Sequence, residues 1–152
     1  FSIYNNKKLT KFFKISTSFD HARFIFATYA QNGFIFAVED QYLSLNPKTL
    51  VKLVEVRSML VTMASFYNAS KILIIPPQKW QTEYLGVSLN EKRTQRKEVS
   101  CFIASQLAQT PIDDIDIADA ICIGDYAVKL QSAYAIAYEE TKKIKKRGIK
   151  NG

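Results

Sequence analysis

The sequence contains few of the residues that bind zinc or form disulfides. It has two cysteines and one histidine among 152 residues, with no Cys-x-x-Cys pair, which argues against a structural zinc site. Cys101 and Cys122 lie in apolar surroundings, which favours two buried free thiols in a reducing compartment. We interpret His21, which falls in a helical pattern, as a structural or surface residue and not as a ligand.

Long hydrophobic runs are also missing. No apolar stretch approaches the ~20 residues that a helix needs to cross a bilayer, and residues 1–14 lack the apolar core of a signal peptide. Hydrophobic residues still make up 47% of the chain and aromatic residues 12%, which is enough for a packed core. We therefore expect one domain over residues 1–152, a cytoplasmic location and no membrane partner.

The charge balance is strongly basic. The net charge is +7, which favours a polyanionic partner, either nucleic acid or an anionic membrane surface. A basic tail begins at about residue 139 and holds six cations against two anions. This tail is either a solvated helix end or a clamp for a phosphate backbone.

The hydrophobic pattern predicts an α/β fold. The expected elements are an antiparallel hairpin over residues 1–15, a helix over 19–30, a strand over 34–38, a helix over 47–64, a strand over 71–75, a helix over 91–107 and a helix after residue 113. Residues 78–90 are expected to form an irregular connection. Arg57 interrupts the apolar stripe of its helix, so it either pairs with a carboxylate inside the fold or extends its stem to the surface.

The organising feature is the strand over residues 34–38, whose five apolar residues run directly into Glu39 and Asp40. A run with no polar member is typical of a strand buried on both faces. Sites in open α/β sheets collect at the C-terminal edge of the strands, and we expect Glu39 to bind metal there. The alternative is that Glu39 and Asp40 form a solvated strand end.

A basic segment opens one of the predicted helices. Four of the seven residues from 91 to 97 are cations, namely Lys92, Arg93, Arg96 and Lys97. Cations at a helix N-terminus oppose the helix dipole unless an anion comes there. We therefore interpret the segment as a phosphate site, against the alternative of a solvated helix face.

An acidic segment opens the last predicted helix. Asp116 and Asp119 are three residues apart and therefore share one helical face. With Glu39 they would form an oxygen-only ligand set, which selects Mg²⁺ or Mn²⁺ over zinc. Two such ions, roughly 3.5–4 Å apart, hold the attacking water and the leaving oxygen of a phosphodiester. The alternative is that these aspartates serve only the helix dipole.

Three segments together resemble a known family. Residues 37–42 read AVEDQY, residues 86–92 read GVSLNEK and residues 116–120 read DIADA. In order and spacing they resemble the RuvC family of Holliday junction resolvases, within the RNase H-like superfamily. The resemblance implies an RNase H-like mixed sheet flanked by helices, with the antiparallel hairpin at its N-terminal side. The short, lysine-rich form resembles a bacteriophage member, which would act in the bacterial cytoplasm.

The resemblance also implies an activity and a catalytic set. It implies a homodimer that binds a four-way DNA junction and makes paired nicks with two Mg²⁺ ions per active site. Glu39, Asp116 and Asp119 match the family's metal ligands. Lys92, which follows Gly86 in the second motif, matches the lysine that stabilises the charge developing on the scissile phosphate.

Further residues are candidates for DNA contacts. Tyr42 matches an aromatic residue that stacks on bases at the crossover, and such stacking is worth ~1–3 kcal/mol. Lys79 falls near a second lysine of the family. Arg93, Arg96 and Lys97 are candidate backbone contacts by charge alone.

The sequence departs from the family at its beginning. The family's first strand, which ends in a metal-binding aspartate, would lie before Phe1. Asp40 is a poor substitute, because adjacent strand residues point to opposite faces. The chain is therefore either a fragment without its opening strand or a branched-DNA-binding protein that does not cut. A third interpretation, a membrane-surface or protein-interaction module, leaves the carboxylates unexplained.

Overall fold

The computed structural model describes residues 1–40, 46–88 and 92–148, with side chains described as far as Tyr138. Within these residues the chain forms four strands and five helices, which confirms the mixed α/β class. The strands are β1 (Ser2–Asn5), β2 (Lys8–Phe12), β3 (Ile35–Glu39) and β4 (Lys71–Ile75). The helices are α1 (Phe19–Tyr29), α2 (Pro47–Phe66), α3 (Pro77–Glu83), α4 (Arg93–Ala108) and α5 (Ile115–Gly148).

The predicted hairpin is confirmed, with a shorter second strand that ends at Phe12. β1 and β2 pair antiparallel, and Asn5 lies opposite Lys8. The two residues between them, Asn6 and Lys7, have φ angles of 48° and 66°. Two successive left-handed residues are typical of the tight turn whose twist matches that of the flanking strands.

β3 and β4 pair in parallel, from Ile35 opposite Lys71 to Glu39 opposite Ile75. Glu39 therefore ends its strand at the C-terminal edge of the pair, as predicted. The expectation that the strand is buried on both faces is wrong at its start, because Ile35 is 45% exposed. Within the described residues the two strand pairs are separate sheets of two strands each.

The helix starts follow the capping residues in the sequence. Ser18 accepts a hydrogen bond from the backbone N–H of His21 at the start of α1. Asn46 caps α2 in the same way through the N–H of Lys48, with Pro47 in the first turn. These side chains satisfy backbone donors that have no partner inside the helix, which is why both starts were predictable.

The segment after β4 corrects a prediction. Residues 78–90 were expected to be irregular, but Pro77–Glu83 form the short helix α3. Pro77 supplies a helical φ in the first turn, where its missing N–H is not needed. Trp80, which is 1% exposed, anchors the helix in the core. A helix of two turns with one deeply buried residue has too short an apolar repeat to be recognised by periodicity.

The hairpin packs closely against α5. The hydroxyl of Ser2 donates to the carbonyl oxygen of Ala120 at 2.7 Å, and that of Tyr4 donates to the carbonyl oxygen of Ile121 at 2.8 Å. A Cβ atom at Gly124 would lie 2.5 Å from a ring carbon of Tyr4. Glycine is therefore required at position 124 for β1 to approach the helix this closely.

A groove of about 980 Å³ separates the hairpin from β3. Residues 1–5 border one side, residues 34–39 border the other, and Ala120 and Gly124 of α5 contribute to its lining. No residue of β4 contributes, so within the described chain the groove follows β3 along the side away from its partner strand. Each of the two bordering strands has only one paired edge in the described residues.

α5 is the longest element, with 34 residues. Its first half packs against α4 and the hairpin, and the side chains of residues 133–138 are exposed. In the described part of the chain, no helix combines the length and apolar character needed to cross a membrane.

Candidate metal site

Glu39 is held at the end of β3 by an indole. The ring N–H of Trp80, on α3, donates to Oε1 of Glu39 at 2.8 Å. Because Trp80 is almost fully buried, its N–H needs an acceptor inside the protein. α3 thus fixes the orientation of the glutamate whose position β3 provides.

Asp119 is held in a similar way on the opposite side of the site. The hydroxyl of Ser100, on α4, donates to Oδ1 of Asp119 at 2.6 Å. Ser100 is also 1% exposed. The close packing of α4 against α5 brings these two side chains together, although they are 19 residues apart in the chain.

The pKa values of Glu39 and Asp119 are both raised, and the charge of Asp119 contributes to the shift of Glu39. Burial raises the pKa of Glu39, and the negative charge of Asp119 raises it further, while the hydrogen bond from Trp80 opposes both effects. Burial likewise raises the pKa of Asp119, against the hydrogen bond from Ser100. The charge of Asp119 therefore reaches Glu39, and a cation bound near both would relieve the repulsion.

Asp116 has a different environment from its two predicted partners. Its carboxylate pairs with Lys14 at 2.7 Å, and Lys14 also contacts Asp114 at 3.0 Å. The side chain of Asp116 is 74% exposed, although its charge still raises the pKa of Asp119. Among the described residues, no three or more His, Cys, Asp and Glu side chains are gathered so that they could hold a metal ion.

The basic start of α4 lies near the carboxylates. Lys92 is the residue that precedes the helix, and no side-chain hydrogen bond caps this start. The charges of Lys97 and Arg93 both lower the pKa of Asp119, so these two cations act on the acidic pocket. Arg96 instead donates to Oε1 of Gln81 at 3.1 Å and links α4 to the end of α3.

The remaining candidates for DNA contacts are less constrained. Lys79 is exposed on α3, next to the buried Trp80. Tyr42 lies outside the described residues, so its predicted role in stacking stays a prediction. Arg57, whose environment the sequence left open, pairs with Asp40.

Sequence reasoning missed the two hydrogen-bond donors of the site. Trp80 stands in a polar segment directly after Pro76 and Pro77, and a large aromatic residue there signals an anchored helix turn. Ser100 and Ala104 are both buried at a helical spacing on α4, so a small polar residue interrupts the buried face. That interruption signals a polar partner inside the fold.

No model of a known protein family matches this chain, and no curated protein sequence matches it. The features that bear on function are therefore those of the site itself. They are two partly buried carboxylates, one buried donor on each of them, and a basic helix start whose charges act on Asp119.

Proposed function

We propose that this chain is a Mg²⁺-dependent, structure-selective DNA endonuclease of the RuvC type, which resolves four-way junctions and other branched DNA by paired nicks as a homodimer. The observation that carries the proposal is the meeting of Glu39 and Asp119. They come from a strand end and a helix that are 80 residues apart, and the charge of Asp119 raises the pKa of Glu39.

The donor set fits a hard cation. Mg²⁺ is commonly bound in proteins by one or two carboxylates, with water and substrate phosphates as its other ligands. Glu39 and Asp119 would supply those carboxylates, and Mn²⁺ would bind the same oxygen atoms. When bound, such ions supply Lewis-acid polarisation of the phosphodiester and a more acidic water.

Asp116 would join this set by exchanging its partner. Its contact with Lys14 joins two exposed side chains, and exposed ion pairs of this kind are worth only about 0–1 kcal/mol. Rotation of Asp116 away from Lys14 would therefore cost little. The proposal thus keeps Asp116 as a third ligand, along with Glu39 and Asp119.

The basic helix start would bind the substrate. Lys92 precedes α4 at the point where backbone N–H groups and the helix dipole favour an anion. In the proposed reaction Lys92 stabilises the charge that develops on the scissile phosphate. Arg93 and Lys97, whose charges reach Asp119, hold neighbouring phosphates, and Lys79 and Arg96 extend this surface.

The groove between β1 and β3 supports the RNase H-like form of the proposal. An extended strand in the groove would pair with β1 on one side and β3 on the other. It would join the two small sheets into one mixed sheet of five strands. If it ran parallel to β3, its C-terminal end would lie beside Glu39, where a further ligand would complete the set.

A second candidate function is branched-DNA binding without cleavage. The observation that favours it is the ion pair of Asp116 with Lys14, which engages one of the three proposed ligands. A protein with this site would use the basic residues of α4 to bind the junction and would leave its strands intact.

Cleavage of a synthetic four-way junction distinguishes the two candidates. In the presence of Mg²⁺ the protein is expected to nick two opposing strands, and Glu39→Gln and Asp119→Asn should each slow the reaction by about 10²-fold or more, because metal stabilisation of the transition state is worth several kcal/mol. Glu55→Gln, an exposed glutamate on α2, is the matched control and should cleave normally.

Junction binding should be measured on the same proteins in EDTA. Binding without cleavage by the wild-type protein would support the second candidate. Cleavage that survives unchanged in both Glu39→Gln and Asp119→Asn would contradict the proposed active site.

A further inference from the structure

We propose that Trp80 and Ser100 are positioning residues that hold Glu39 and Asp119 in place for a divalent cation, and that Trp80 is a built-in fluorescent reporter of that cation. The inference rests on the cation site of the proposed function. Neither residue belongs to the three sequence motifs described above, and both follow from contacts that only the folded chain makes.

Among the residues that the structure describes, each carboxylate accepts a side-chain hydrogen bond on one oxygen atom. Trp80 donates to Oε1 of Glu39, and Ser100 donates to Oδ1 of Asp119. A carboxylate has a second oxygen atom with which it can bind a cation. A hydrogen bond to the first oxygen fixes the rotation of the group, and donors of this kind orient ligands in metal sites.

The hydroxyl of Ser100 has one proton, and two acceptors lie near it. Oδ1 of Asp119 is at 2.6 Å, and Sγ of Cys122 is at 3.7 Å. A carboxylate is a much stronger acceptor than a thiol sulfur, so the proton goes to Asp119. Packing of α4 on α5 therefore holds one defined rotamer of the aspartate.

Another carboxylate, on α5, has an arrangement that is purely structural. Asp125, which is also buried, accepts a hydrogen bond from the hydroxyl of Tyr84 at 2.8 Å. It also pairs with Lys129 at 3.1 Å. Its negative charge is thus balanced inside the chain, as buried charges usually are.

Glu39 and Asp119 differ from Asp125, because each accepts a hydrogen bond from a neutral donor but has no direct ion pair among the described residues. None of the ion pairs between described residues includes either carboxylate. Trp80 and Ser100 are neutral, so they fix the direction of the carboxylates without balancing their charge, and Arg93 and Lys97 act on Asp119 without a direct ion pair. Carboxylates with fixed oxygens and no direct ion pair are suited to a cation that arrives from solution.

Trp80 offers a direct measurement, because it is the chain's single tryptophan. Its indole N–H touches Glu39, so an ion bound by Glu39 would lie close to the ring. Mn²⁺ is paramagnetic and quenches the fluorescence of an adjacent indole, whereas Mg²⁺ does not. Titration with Mn²⁺ should lower tryptophan emission in a saturable manner, and excess Mg²⁺ should restore it.

The experiment compares Mn²⁺ affinity in the full chain and its variants, without DNA. In wild type and Glu39→Gln, quenching of Trp80 reports binding, and Glu39→Gln should abolish saturable quenching while it retains an oxygen acceptor for the indole. In Trp80→Phe and Ser100→Ala, electron paramagnetic resonance of free Mn²⁺ reports binding. Each of these two variants should bind Mn²⁺ about 10–100-fold more weakly.

Two matched controls separate positioning from general stability. Tyr84→Phe removes an aromatic donor from the other carboxylate, Asp125, and Ser105→Ala removes a hydroxyl from the same helix as Ser100. Both should keep wild-type Mn²⁺ affinity, whatever they do to the temperature of unfolding. Ser100→Thr, which retains the hydroxyl, should recover most of the affinity lost in Ser100→Ala.

Each outcome decides a different point. Wild-type affinity in both Trp80→Phe and Ser100→Ala would overturn the positioning role and leave the cation site standing. No Mn²⁺ binding by the wild-type protein would overturn both the cation site and this inference. If Trp80→Phe does not fold, Ser100→Ala and Ser100→Thr alone decide whether the donors matter.

Discussion

Glu39 and Asp40 are adjacent carboxylates at the end of β3, and the groups that contact them differ in charge. Asp40 pairs with Arg57 of α2, so its charge is compensated within the chain. Glu39, one residue earlier, points to the other face and accepts a hydrogen bond from the neutral Trp80. The charge of Asp119, which has the same sign, raises the pKa of Glu39 further.

This difference shows that two adjacent residues at one strand end have separate roles, a structural one for Asp40 and a proposed functional one for Glu39. Successive strand residues face opposite sides, so one carboxylate meets a cation on α2 and the other meets an acidic residue on α5. An ion pair stabilises the first. Burial beside a like charge destabilises the second, and such destabilisation is characteristic of sites that bind a ligand.

The largest expected effect is a difference in the rate of junction cleavage between variants of Asp40 and Glu39. Asp40→Asn should cleave a four-way junction within about threefold of wild type per folded molecule, whereas Glu39→Gln should lose about 10²-fold. The assay measures initial rates at saturating Mg²⁺, with the folded fraction determined by circular dichroism. Equal losses in the two variants would remove the functional distinction between the two faces.

A smaller effect is expected on stability at the Asp40 face. Arg57→Met keeps the length of the side chain but leaves Asp40 without its cation, which should lower the free energy of unfolding by about 1–2 kcal/mol, since both side chains are partly buried. Urea unfolding measures this change. Arg23→Met, at an exposed position on α1, is the control and should change stability by less than about 0.5 kcal/mol.

The smallest expected effect is an increase in the free energy of unfolding when Glu39 is replaced. Because burial raises the pKa of Glu39 in the folded protein, its contribution to stability is present below the ordinary glutamate pKa and is lost as the pH rises through the folded value. Glu39→Gln should therefore be more stable than wild type at pH 7 without metal, because the amide carries no charge that burial would penalise.

The same variant should lose this advantage near pH 4, where the wild-type carboxyl binds its proton. Urea unfolding at the two pH values, in EDTA, tests the sign. A Glu39→Gln protein that is less stable than wild type at pH 7 would show that the charge of Glu39 is compensated in the folded state.

Local signals in the sequence were sufficient for most elements of the fold. Ser18 and Asn46 marked helix starts, and the apolar run before Glu39 marked a strand with a carboxylate at its end. These features depend on a few neighbouring residues, which is why they survive without knowledge of the rest of the chain. α3 was missed because two turns anchored by Trp80 do not produce a recognisable repeat.

The candidate site could be predicted only in part, because sequence signals depend on a few neighbouring residues and the site joins distant ones. Glu39 and Asp119 were predicted to meet, and the effect of the Asp119 charge on the pKa of Glu39 is consistent with that prediction. Asp116 was expected beside them, but the position of Lys14, 102 residues away in sequence, determines its contact. No pattern in the acidic segment indicates which cation will reach it.

By itself, the sequence determined most of the helices and strands, the basic net charge and the position of a glutamate at a strand end. Only the tertiary structure decided which carboxylates have a cation and which have a neutral donor. The physical reason is that capping and hydrophobic periodicity act over a few residues, whereas charge compensation and burial depend on groups brought together from distant parts of the chain.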